Sequence, residues 1–135
     1  MKNPKQAKAD AEEAISDLCK YNLPEDQIRE LKNKLLKFPE MALYYSIYFN
    51  KSFPEAEASL ATKPNLAAQY AASVLKGPFP LGEATIAKDG YYSIYYAEKA
   101  IKGRFELGEE AIAKNKFFAQ HYALFLSTIN LENEK

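Results

Sequence analysis

The sequence predicts an all-α fold assembled from two-helix repeats, and three observations carry that prediction. Residues recur at a fixed step of 26: Phe53, Phe79 and Phe105; Glu57, Glu83 and Glu109; Leu60, Ile86 and Ile112; Ala61, Ala87 and Ala113; and Tyr44, Tyr70, Tyr96 and Tyr122. Each copy reads as helix, break, helix, a supersecondary unit that cannot bury its apolar face without a neighbour. No stretch alternates apolar and polar residues as a half-buried strand would.

Taken in order, Pro4 to about Lys20 reads as helix, with Ala11, Ala14, Ile15 and Leu18 on one face and Cys19 beside them. Residues 1–22 are therefore expected to cap the array. Asn22-Leu23-Pro24 breaks and restarts the chain, with Pro24 at the first helical position and Glu25 and Asp26 in the first turn. That helix runs to about Lys37 and buries Ile28, Leu31 and Leu35, and its basic end (Lys32, Lys34, Lys37) suits the helix dipole. Phe38-Pro39 restarts the chain again into a helix carrying Tyr44, so 23–52 form a divergent first repeat. Repeats follow at 53–78, 79–104 and 105–129, then a polar tail, 130–135. In the central copy the short helix spans Pro80 to Lys88, with Pro80 at its start and Glu83 in its first turn. Gly90 is expected in the left-handed position past its end, and the second helix runs from Tyr91 to Lys102 and stops at Gly103. The whole is expected to be one domain, a short, curved, right-handed α-solenoid-like array.

The chain has 135 residues, enough to bury roughly two-thirds of its unfolded surface without metal or disulfide. Eighteen basic residues balance eighteen acidic ones, which removes bulk attraction to nucleic acid or anionic membrane. One cysteine cannot form a disulfide within the chain. No apolar region follows the basic start, and no apolar run approaches the ~20 residues that span a bilayer. A cytoplasmic protein without membrane contact is the expectation.

Positions fixed between copies serve stacking, and positions that vary are free for recognition. Ser93, Tyr96, Ala97, Ala100 and Ile101 share one face of the central second helix and belong to the core. The repeated Tyr reads either as a core aromatic whose hydroxyl meets a partner at the core edge or as a ladder of hydroxyls lining a groove. The repeated Glu reads as a charge at a helix N-terminus, paired with Lys76, Lys102 or Arg104. The opposite face changes: Pro39, Leu43, Ser46, Asn50; then Asn65, Gln69, Ala72, Lys76; then Tyr91, Tyr95, Glu98, Lys102; then Phe117, His121, Leu124, Thr128. Its aromatic character in the last two copies marks an interface, and Tyr45 and Tyr48 add to it in the first. The candidate partner-binding residues are therefore Tyr45, Tyr48, Tyr91, Tyr95, Glu98, Lys102, Phe117 and His121. The last repeat lacks a polar outer face (Phe117, Phe118, Leu124, Phe125), so a homo-oligomer through it is a further expectation.

Little suggests catalysis. His121 and Cys19 are single, no acid pair has the spacing of a metal or glycosidase site, and no phosphate-binding glycine motif occurs. No cofactor or metal is expected. Nucleic acid is the rival partner, because Tyr91, Tyr95, Lys99, Lys102 and Arg104 cluster in one repeat, but Glu98, Glu106, Glu109 and Glu110 interrupt any basic stripe.

The unit Tyr96-Ala97…Lys102-Gly103-Arg104-Phe105-Glu106-Leu107-Gly108-Glu109-Glu110-Ala111-Ile112-Ala113-Lys114 resembles short helical repeats of uncharacterised proteins from large tailed phages and other large DNA viruses. The resemblance covers residues 38–126 and brings no catalytic residue with it. It implies a viral accessory protein that binds or inhibits a host factor. Together with the variable face, the expectation is a non-catalytic protein-binding module.

Overall fold

The structure is a computed structural model that describes residues 3–133. The first two residues of the expected cap and the last two of the expected tail lie outside the described residues. Every regular element among the described residues is helical. The chain divides into two compact bodies, one ending at Leu60 and one beginning at Ala61.

In the first body, α1 (Pro4–Lys20) packs on α2 (Glu25–Leu35) and α3 (Pro39–Phe49), and a 3-10 turn, Pro54–Ala56, leads into α4 (Glu57–Leu60). Asn3 caps α1: its side-chain oxygen accepts from the Gln6 N–H at 2.8 Å. Ala11, Ala14 and Leu18 are buried, as the spacing predicts. Pro24 is the residue before α2 rather than its first member.

In the second body, α5 (Pro64–Tyr70) runs on into a wide π-turn, Ala71–Leu75. Then come α6 (Pro80–Ile86) and α7 (Gly90–Tyr95), the latter continued by a second π-turn, Tyr96–Ile101. A 3-10 turn, Glu106–Gly108, precedes α8 (Glu109–Ala113), and α9 spans Lys116–Asn133. Residues 130–133, expected as a polar tail, continue that last helix.

Within each of the last two repeats the tyrosine closes the hairpin. The Tyr96 hydroxyl accepts from the Phe79 backbone N–H at 2.9 Å and donates to Glu83 Oε2 at 2.5 Å. Tyr122 does the same with Phe105 N–H (3.0 Å) and Glu109 Oε2 (2.7 Å). Tyr96 and Tyr122 are buried, so of the two readings of the repeated tyrosine the core one holds there. Of the expected charge partners of Glu109, Arg104 forms the ion pair, through Nε at 2.6 Å and Nη2 at 3.0 Å. Successive repeats meet through ring contacts as well. The Tyr70 ring lies edge-on to Phe79 at 5.2 Å, and Tyr96 to Phe105 at 4.8 Å. Gly82 and Gly108 let the backbones approach: a Cβ on Gly82 would lie 2.8 Å from Ala67 Cβ, and one on Gly108 2.3 Å from Ser93 Oγ.

Three residues have left-handed backbone, Asn50, Lys76 and Lys102 (φ 52°, 56° and 52°), again 26 apart. They end the second helices, and Gly90, expected in a left-handed position past the short helix, has no such backbone. Gly90 opens α7, and Gly103 follows the left-handed Lys102, its N–H reaching Ala97 O at 3.0 Å. Gly90 has a steric role instead, since a Cβ there would lie 3.0 Å from both Ala111 O and the Phe118 ring.

The expected register fails in the first repeat. Tyr44 is 56% exposed, while Tyr45 is buried and places its ring 5.6 Å from Phe53. The π-turns explain the slip. Six residues separate Tyr70 from Lys76 and Tyr96 from Lys102, whereas α3 has no π-turn and only five separate Tyr45 from Asn50. A π-turn accommodates one extra residue, so without it the buried tyrosine moves one position toward the helix end. For the same reason Leu43 and Ser46, set on the variable face by periodicity, are buried.

Candidate binding groove

Two side-chain caps shape the candidate face. Asp89 precedes α7 and accepts from the Tyr92 N–H at 2.9 Å. Its counterpart Asn115 accepts from the N–H groups of Phe117 (2.9 Å) and Phe118 (3.1 Å). Such caps satisfy donors that a helix start leaves unpaired. Here they also fix where the first aromatic residues of each helix stand. Tyr91 meets Tyr92 at 4.9 Å and Phe118 at 6.3 Å, and Tyr92 meets Tyr95 at 6.0 Å, all edge-on.

The outcome is a groove of about 390 Å³ between α7 with its π-turn and α9. Tyr91, Ile94, Tyr95, Glu98 and Lys99 line one side, and Phe117, Phe118 and His121 the other. Tyr91 is 55% exposed and Phe117 78%. His121 bridges the two helices, donating from Nε2 to Glu98 Oε1 in a short hydrogen bond.

Five of the eight residues singled out by the sequence meet in this groove: Tyr91, Tyr95, Glu98, Phe117 and His121. Three do not. Tyr45 is a core residue of the first body, beside Phe49 and Phe53, with the Lys32 ammonium 5.4 Å from its ring. Tyr48, also in the first body, is exposed and stacks on Tyr44 at 6.1 Å. Lys102 is exposed, but its place in the helix end is set by its left-handed backbone and it does not line the groove. Sequence reasoning missed Asp89 and Asn115 as caps. The available signal was an Asp or Asn 26 residues apart, each just ahead of an aromatic pair.

Elsewhere, Ile15, Ser16, Cys19, Lys20, Glu40, Met41 and Tyr44 line a second groove, in the first body. Burial pushes the Cys19 thiol up from its ordinary value, away from the thiolate form that a nucleophile requires. Among the described residues no group of His, Cys, Asp and Glu has the arrangement to hold a metal ion, and no helix is long and apolar enough to cross a membrane. Comparison with family models, curated proteins and solved structures gives no match.

Proposed function

We propose that the chain is a non-catalytic protein-binding module of stacked two-helix repeats, with α1 as its N-terminal cap, and that the groove between α7 and α9 seats the partner. One observation carries this reading: the groove sets exposed Tyr91 and Phe117 beside half-buried Tyr95 and Phe118 on capped helices. Tyrosine and phenylalanine held in place offer large contact area at small entropic cost, the pattern of interface hot spots. The resemblance to viral repeats points to a host protein as that partner.

The test is affinity capture with Tyr91→Ala plus Tyr95→Ala, the fold checked by circular dichroism. Loss of the captured protein with helicity retained supports the reading, and undiminished capture overturns it. Nucleic acid stays the second reading because Lys99 stands beside Tyr91 and Tyr95 in the groove. It requires retention on a single-stranded oligonucleotide column that falls steeply with salt.

A further inference from the structure

We infer that the outer face of α9 docks a second copy of this chain, the two α9 helices meeting across a two-fold axis. The inference goes beyond the proposed binding function, because it rests on the joints between repeats and uses none of the groove.

The inner joints show what such a face is built to meet. The second helix of each repeat packs against the short helix of the next, α5 on α6 and α7 on α8. The covered positions are buried: Ser93, which faces Gly108, and Ala97 and Ala100 are at most 4% exposed. One step of 26 later these positions are Ala119, Ala123 and Leu126. There Ala123 is exposed, and Ala119 and Leu126 are half-buried. Glu98, which meets His121 across the last joint, is replaced by Leu124, 71% exposed. So α9 keeps the side chains of a covered face without the cover. The chain does not turn back to supply it. The preceding second helices end in left-handed backbone at Lys76 and Lys102, whereas at the equivalent Thr128 α9 runs on to Asn133.

Charge favours a second copy as the occupant. From Phe117 to Asn130 there is no Asp, Glu, Lys or Arg, in a chain 27% charged, and the one histidine is engaged with Glu98. Residues near a two-fold axis meet their own copies, so a charge there would face its like. An uncharged face has no such penalty. The helix α1, expected to cap the other end of the array, is a poor match: its exposed residues include Lys5, Lys8, Glu12 and Glu13. Setting those against Ala123 and Leu124 would strip water from charges. Such a head-to-tail contact would also add copies without closing, whereas the two-fold pair closes at two. Ala119, Ala123 and Ser127 stand on successive turns, and their small size lets two α9 helices approach closely.

The contact is about four helical turns long, roughly 20 Å. That is small for a specific interface, so the dissociation constant belongs in the micromolar range. Sedimentation velocity of the full chain from about 1 to about 200 µM should show monomer giving way to dimer and to nothing larger. Ala123→Glu changes a residue exposed in the single chain and sets two carboxylates face to face. It should weaken the dimer by about tenfold or more, with helicity unchanged by circular dichroism. Leu81→Glu, at an exposed leucine of α6, should leave the dimer as it was. A chain that stays monomeric at the highest concentration, a series that grows past dimer, or a dimer indifferent to Ala123→Glu overturns the inference. Capture of a protein partner through Tyr91 and Tyr95 does not enter that result, so the two readings stand or fall separately.

Discussion

Tyr96 does three things at once. Its ring packs on Phe105, its hydroxyl oxygen accepts from Phe79 N–H, and its O–H donates to Glu83. Tyr96→Phe keeps the ring but leaves a buried N–H without an acceptor, so chemical denaturation should report a loss of about 1–3 kcal/mol. Tyr96→Ala should lose ~3–5 kcal/mol, because a cavity is added. The same hydroxyls make stability sensitive to alkali. Burial, followed by the hydrogen bond to Glu109, raises the Tyr122 phenol from its ordinary 10.0 to about 12. A raised value favours the folded state below pH 10 and loses that contribution as pH rises toward 12. Urea midpoints should therefore be level up to about pH 10 and fall above it, and Tyr122→Phe should fall less steeply. The Tyr–Glu–Phe relation was partly legible in the sequence, since all three recur at 26. Which atoms meet was not, because periodicity reveals that positions are equivalent without revealing their partners.

At the scale of the helix, close approach and chain reversal rest on different residues. Gly82 and Gly108 sit where the next side chain is already in contact, so Gly82→Ala and Gly108→Ala should each cost about 1–3 kcal/mol by overpacking, read as a lower thermal midpoint. Lys102 shows the opposite case. An L-residue in left-handed backbone is strained, and Lys102→Gly should raise the midpoint, by roughly 0.5–1 kcal/mol in stability. The first-repeat slip from Tyr44 to Tyr45 was invisible beforehand because an α-helix and a π-turn differ by one residue of winding and share the same composition. The groove was half visible. Tyr91, Tyr95 and Phe117 stood out as aromatics on a variable face. Phe118 was set on the outer face expected to meet a second chain, and Ile94 did not stand out, because it is buried and looks like core from spacing alone.

At the scale of the molecule, eighteen charges of each sign leave no net field to draw a partner in from a distance. Association with a protein partner should thus change its on-rate by less than about threefold between low and moderate salt, measured by stopped flow, whereas a phosphate-tracking protein would lose orders of magnitude in affinity. The polar locks of the last two repeats also have a structural consequence. Each lock, Phe79–Glu83–Tyr96 and Phe105–Glu109–Tyr122, is contained within its own repeat. Besides the His121–Glu98 hydrogen bond, the joints between these repeats reuse two contacts, a tyrosine edge against the next phenylalanine and a glycine against a small residue. Such a repeat is a cassette with standard ends that still needs neighbours to bury its apolar faces. An in-frame duplication of residues 79–104 should fold, add helical signal in proportion, and place a second Tyr91–Tyr95 face one step along, with the second copy's Tyr95 standing where His121 now meets Glu98.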